Sequence, residues 1–257
     1  MLENISIKKI ILFSLTSAVL VASQSNFAHT RFKTPVIDEN GSRHGSDYNA
    51  EVIGHTCKTD DGVALDLLGT VVVFPDGVDS TLTVDGVASD KKVIDFVTNW
   101  GSPVQSISNK DVFGYQDEIN TPLGNTVGYW MGGSPGLQNN LAAVLPFRTS
   151  GVVIDETSCA KSVTFRTNIA DICVITKASE FSTNALNIWS VAVEGSKFQI
   201  PGSKGDDSPA TLKVNRTSPM PEDCGEGVDV IVTPTAAQIN RDMPIIINGE
   251  QVWPLAE

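Results

Sequence analysis

The three histidines are the residues of this chain whose type and spacing suggest chemistry. His29, His44 and His55 are all the histidines present, and they fall within 27 consecutive positions. Random placement seldom clusters them so tightly, so a shared role is favoured over three unrelated surface residues. Neutral imidazoles bind borderline metal ions such as copper(II) and zinc. The sequence therefore predicts a metal site in this segment.

His29 would supply two ligands if it became the first residue of a processed chain. Residues 1–28 have the pattern of a secretory signal peptide, in which two lysines precede an apolar core over residues 10–22 and a short polar stretch follows. That core is too short to span a bilayer. Cleavage after Ala28 would free the α-amine of His29, although residues 21–23 offer a rival cleavage site. We expect a periplasmic or secreted protein whose mature chain has no transmembrane segment.

Copper(II) is the metal that this set of nitrogens favours. An amine and two imidazoles bind copper(II) more tightly than nickel, cobalt or zinc, and zinc prefers a tetrahedral set with sulfur or more histidines. The acidic segment over residues 58–62 is too short for a calcium loop. His55 is the predicted second histidine because it follows a predicted strand and lies close to Cys57, whereas His44 lies in a glycine-flanked loop.

Charge narrows the range of partners. The formal net charge is −12, and removal of residues 1–28, which carry two lysines and one glutamate, would make it −13. Basic residues are scattered, and Lys91 and Lys92 form the only adjacent pair after residue 28. Such a chain repels nucleic acid and anionic membrane surfaces. Small cations and neutral ligands are the expected partners.

Strands are the elements that must position these residues. Short alternating or apolar runs end at turn residues about every ten positions, which predicts an all-β sandwich. No stretch of a dozen residues has an apolar face at helical spacing. The predicted domain covers residues 29–195. Residues 196–257 are expected to form a C-terminal extension packed on the same domain, as an appended hairpin or a long wrapping tail. The predicted strands are residues 48–53, 70–74, 80–84, 127–131, 141–147, 162–175, 186–193, 228–232 and 245–247.

The four cysteines remain after the predicted cleavage, in a compartment that oxidises thiols. A thiolate metal site would need closer spacing, because the nearest pair, Cys159 and Cys173, is separated by thirteen residues. Two structural disulfides are therefore predicted.

Several short motifs, in the same order along the chain, resemble the YcnI-like periplasmic or extracellular copper-binding domains. Each motif is short, and together they cover residues 29 to 193. The similar segments are Phe27–Thr30, Gly54–Gly62, Val73–Val78, Trp100–Ser102, Tyr129–Gly133, and Phe165–Cys173 followed by Trp189.

The resemblance implies a cupredoxin-like or immunoglobulin-like β-sandwich that binds one copper(II) at the mature amino terminus. A carboxylate from the strand after the first loop, Asp47 or Glu51, would complete the site beside Trp189. We therefore expect His29, His55 and Asp47 as ligands.

The family's cysteine pair corresponds to Cys57 and Cys173, which leaves Cys159 to pair with Cys224. The implied role is copper homeostasis through storage, chaperoning or delivery to a membrane or periplasmic copper-handling protein, without catalysis.

Two other function classes stay open at this stage. A histidine chelate of the same kind is the active centre of lytic polysaccharide monooxygenases, so a copper-dependent oxidative enzyme is one alternative. An extracellular adhesin without a metal is the other, supported by the turn-rich β pattern. Hydrolysis is disfavoured because the three histidines precede any candidate nucleophile along the chain, and the paired carboxylates lie in turn-like segments.

Overall fold

The computed structural model describes residues 29–40, 45–202 and 208–257, which are mostly β-structure, so the predicted all-β sandwich is confirmed. Among these described residues, one short helix, α1 (Ala236–Asp242), and 3-10 turns at Val93–Asp95, Ala178–Glu180 and Glu222–Cys224 accompany the strands. The strands of the described residues are β1 (Arg31–Phe32), β2 (Val36–Asp38), β3 (Ser46–Ile53), β4 (Leu67–Val73), β5 (Ser80–Val84), β6 (Val87–Ser89), β7 (Val104–Ser106), β8 (Tyr115–Asn120), β9 (Thr126–Leu137), β10 (Ala143–Ser150), β11 (Ala160–Arg166), β12 (Asn168–Ile172), β13 (Leu186–Trp189), β14 (Thr211–Asn215), β15 (Val228–Pro234), β16 (Ile245–Ile247) and β17 (Glu250–Trp253).

The strands form three main sheets and one hairpin. The first sheet has the order β1-β3-β10-β7, the second β2-β14-β11-β15-β5-β6, and the third β13-β12-β4-β9-β8. Strands β16 and β17 pair only with each other. The pairs β11·β15 and β14·β2 are parallel, and the other named pairs are antiparallel.

The third sheet separates two hydrophobic cores. Val72 and Tyr129 face the larger core, which the first and second sheets also line, while their neighbours Val71 and Trp130 face the smaller one. Because both faces of the central strands β4 and β9 are covered, β4 is a nearly continuous apolar run rather than an alternating one. This placement explains why the sequence of β4 carries so few polar residues.

The C-terminal segment is part of the sandwich. Strands β14 and β15 flank β11 inside the second sheet, and α1 with the β16–β17 hairpin covers the smaller core through Ile239, Met243 and Trp253. Residues 208–257 thus contribute two strands to the second sheet, together with a helix and a hairpin that cover the smaller core. The sequence did not indicate α1 because its two turns are too short to show an amphipathic period. The side chain of Thr235 caps the start of α1 by accepting a hydrogen bond from the backbone N–H of Gln238.

Both disulfides join the expected cysteines. Cys57 bonds to Cys173 and Cys159 bonds to Cys224. The first connects the segment after β3 to the segment after β12, which belong to different sheets. The second fixes the start of β11 against the segment that leads into β15. Each bond stabilises a fold by about 2–4 kcal/mol through constraint of the unfolded chain.

Candidate metal-binding site

The strand register brings His29 and His55 to the same place. Strands β1 and β3 are antiparallel with Arg31 opposite Val52. Continuing that register beyond the strands places His29 level with Gly54, next to His55. Two histidines that are 26 positions apart in sequence therefore meet at one end of the first sheet.

Trp189, at the end of β13, lies between the two imidazoles and the protein interior. Its ring centroid is 4.6 Å from that of His29 and 6.1 Å from that of His55, and both contacts are edge-to-face. Trp189 and both histidines are half-buried. Both histidine rings therefore contact the same indole.

The His55 ring has a defined orientation. Its Nδ1 atom lies 2.9 Å from the carbonyl oxygen of Thr56. A carbonyl only accepts, so the hydrogen bond requires the proton on Nδ1 and leaves the lone pair on Nε2. The Cys57–Cys173 disulfide anchors the segment two residues further along. This arrangement is typical of a histidine that is held ready to bind a metal.

Asp171 lies directly behind the indole. Its Oδ2 atom accepts hydrogen bonds from Thr30 Oγ1 at 2.5 Å and from Trp189 Nε1 at 3.0 Å. Its Oδ1 atom is buried and has no hydrogen-bond partner among the described residues. Burial raises the pKa of this carboxyl, an effect opposed by the hydrogen bonds and by the charge of His55. A buried oxygen without a donor is expensive, so Asp171 Oδ1 is an open coordination or hydrogen-bonding position.

Glu51 is a second buried carboxyl, on the facing sheet. It accepts a hydrogen bond from Thr70 Oγ1 at 2.6 Å and another from the Tyr129 hydroxyl at 3.3 Å. Burial, followed by the charge of Asp171, raises the pKa of Glu51 to about 8. Glu51 is therefore mostly protonated at neutral pH, and the two carboxyls do not carry full charge together.

Asp47 lies apart from this cluster. It occupies β3 six residues before Ile53, which corresponds to about 20 Å along the strand, whereas the histidines lie beyond the end at Ile53. Burial raises the pKa of Asp47 and leaves its Oδ2 without a hydrogen-bond partner among the described residues. Its role as a ligand stays a prediction that this geometry does not favour. His44, the alternative histidine, lies outside the described residues.

Asp171 and Thr30 were not among the site residues predicted from the sequence. Asp171 sits in a segment where two strand registers are equally compatible with the apolar pattern, so the direction of its side chain could not be assigned. The available signal was an acidic residue between apolar neighbours, Ala170 and Ile172, two residues before a cysteine. Buried acids of this kind are rare and usually have a function.

Side chains alone do not make a complete metal site here. Within residues 29–40, 45–202 and 208–257, no three His, Cys, Asp or Glu side chains are grouped so that they could hold a metal ion. The two imidazoles contact the same indole, and Oδ1 of Asp171, the carboxyl that accepts a hydrogen bond from that indole, is without a hydrogen-bond partner among the described residues. They fit copper(II) only if a further nitrogen, the α-amine of His29, completes the chelate.

No family model and no curated protein sequence matches the chain. No helix in the described part of the chain has the length and apolar character needed to cross a membrane.

Proposed function

We propose that this protein binds one copper(II) ion at its mature amino terminus and serves in copper storage, chaperoning or delivery. The ligands are the α-amine and imidazole of His29, released by cleavage after Ala28, and Nε2 of His55. The observation that carries the proposal is the approach of both imidazoles to the single indole of Trp189. A chelate requires this convergence, and distant surface histidines seldom have it.

Asp171 is the carboxylate that we assign to this site. It accepts a hydrogen bond from Thr30, the residue that follows His29, and another from the indole nitrogen of Trp189. A bound cation would stabilise the charged form of Asp171, which burial otherwise disfavours. The carboxylate thus complements the charge of the ion and holds the indole in place.

Delivery or storage is favoured over oxidation by the position of Tyr129. Tyr129 is fully buried and bonded to Glu51, so its hydroxyl faces the polar interior rather than the imidazoles. A copper-dependent oxidase remains the second candidate. Oxygen consumption by the copper-loaded protein with ascorbate and a polysaccharide distinguishes the two, since a storage or delivery protein consumes little oxygen beyond that of copper-free controls.

The decisive experiment compares two amino termini. One protein begins at His29 and the other carries a single glycine before it, which displaces the α-amine from the chelate. Isothermal titration with copper(II) in the presence of a competing chelator should show an affinity at least tenfold lower for the extended protein, about 1.4 kcal/mol. Electron paramagnetic resonance should show fewer nitrogen hyperfine couplings for the extended protein than for the protein that begins at His29. Equal affinity and identical spectra would exclude the amino-terminal chelate.

A further inference from the structure

A cavity of about 500 Å³ lies in a part of the molecule that shares no residue with the His29 cluster. Its floor consists of Val93, Val97 and Trp100, which are almost fully buried. Trp100 is fixed because its Nε1 donates to the Pro75 carbonyl at 2.7 Å and its ring stacks on Phe165. The floor is therefore apolar and rigid, and its volume falls in the range of small-molecule sites.

The rim of the cavity is also apolar, although it faces solvent. Val78, Ile94 and Leu123 line the opening, and they are 64%, 70% and 78% exposed. Exposed aliphatic side chains are unremarkable one by one, but a group that continues into an apolar floor marks a binding surface. Covering them would remove apolar area from water at about 25 cal/mol per Å².

One end of the cavity is acidic. Arg241 forms salt bridges with Asp76, Asp79 and Asp242, so the four side chains have a net charge of −2 when all are ionised. Asp76, Asp79 and Arg241 line the cavity. The guanidinium is committed to these carboxylates and is not available to bind an anion.

Asp79 is the carboxylate that a ligand could reach. Its Oδ2 atom accepts from Arg241, while Oδ1 accepts no hydrogen bond from the part of the chain that the structure describes. Its side chain is 38% exposed. A cation at this end would gain a charge-assisted hydrogen bond to Oδ1.

We propose that this cavity binds a small apolar molecule that carries a protonated amine. The apolar body covers the Trp100 floor between the rim residues, and the ammonium group donates to Asp79 Oδ1. The net charge of the whole chain, −12, favours the approach of such a cation. The proposal does not depend on copper binding.

Three probes with the same ring system and different charge test the assignment. They are 2-naphthylmethylamine, 2-naphthylmethanol and 2-naphthoate, each titrated into the copper-free protein at neutral pH by isothermal calorimetry. The amine is expected to bind at least tenfold more tightly than the alcohol, and the carboxylate not at all. Equal binding of the three, tighter binding of naphthoate, or no binding of the amine at millimolar concentration would overturn the proposal.

Variants separate the two parts of the site. Asp79→Asn should reduce the affinity for the amine to that for the alcohol and leave the alcohol unchanged, because Arg241 keeps Asp76 and Asp242. Val78→Ser should weaken both ligands. Val87→Ser is the matched control, since Val87 is a similarly exposed valine outside the cavity. Circular dichroism confirms that each variant is folded. Loss of amine binding in Val87→Ser, or unchanged amine binding in Val78→Ser, would show that the ligand binds elsewhere.

Discussion

The indole nitrogen of Trp189 donates a hydrogen bond to Oδ2 of Asp171, while the same indole contacts the His29 ring. The two residues come from neighbouring strands of the third sheet, β13 and β12. This bond connects a buried carboxyl to the indole that contacts the half-buried imidazoles. It fixes the orientation of the indole and supplies one of the donors that the carboxyl needs in the protein interior.

Trp189→Phe should lower the free energy of unfolding by about 1–3 kcal/mol, because Asp171 then loses a donor while an aromatic ring is retained. Urea denaturation of the metal-free protein measures the change. The same substitution in an Asp171→Asn background is the control, and its effect should be smaller. Equal effects in the two backgrounds would mean that the hydrogen bond contributes nothing to stability.

His55→Ala should reduce copper(II) affinity at least tenfold and remove a nitrogen coupling from the paramagnetic spectrum. His55 is positioned by the strand register and by the nearby disulfide, so little ordering entropy is lost when it binds. His44→Ala, at a position between Gly41 and Gly45 in the sequence, is the matched control and should change neither quantity. A larger effect of His44→Ala would show that the second histidine ligand has been wrongly assigned.

Asp171→Asn should weaken copper binding by a larger factor than Asp47→Asn. The first substitution removes a negative charge behind the imidazole pair, whereas the second acts about 20 Å along β3 from its end. Both replacements preserve side-chain size. Competition titrations give the two affinities, and a greater loss in Asp47→Asn would restore that residue as the oxygen ligand expected from the sequence.

Glu51 should make the metal-free protein less stable as the pH rises from about 4.5 to about 8. Its pKa is raised from 4.5 to about 8 by burial and by Asp171, so the folded state keeps a proton that the unfolded state releases. The resulting loss is at most about 1.4 kcal/mol per pH unit.

In Glu51→Gln the decrease of unfolding free energy with pH should be smaller. The other titrating groups contribute equally to both proteins and cancel in the difference. Unfolding free energies from urea titrations at several pH values, taken as the difference between the two proteins, test the expectation. A constant difference across this interval would mean that Glu51 is ionised in the folded state.

The sequence predicted strands well where the pattern of apolar residues is compatible with a strand and with no other element. Residues 80–84 coincide with β5, and the apolar run at residues 70–74 overlaps β4, because buried strands need β-branched residues on both faces. Strand β14, which has the composition TLKVN, was missed because its five residues alternate too briefly to stand out from a loop. Isolated short strands depend on their neighbours in the sheet, which a local pattern does not contain.

The site was predictable to the extent that its residues were chemically unusual. His29 and His55 stood out by type, and Trp189 came from the resemblance. Asp171 could not be assigned because its hydrogen bonds with Thr30 and Trp189 depend on the packing of two sheets and on pairing between β12 and β13. Long-range register decides which buried acid lies behind the imidazoles, and spacing along the chain carries no information about it.

The position of the third sheet between two cores has a consequence for unfolding. A strand such as β4 packs one set of alternate side chains into each core. Detaching the layer on one side therefore exposes one face of a strand whose other face packs into the remaining core. The helix and hairpin at the C-terminal end therefore cannot melt as an independent unit without weakening the strand that carries Thr70 and, through it, the hydrogen bond to Glu51. Calorimetry should record a single transition for the whole molecule, and truncation before α1 should loosen the distant polar interior behind His29 as well as the layer that was removed.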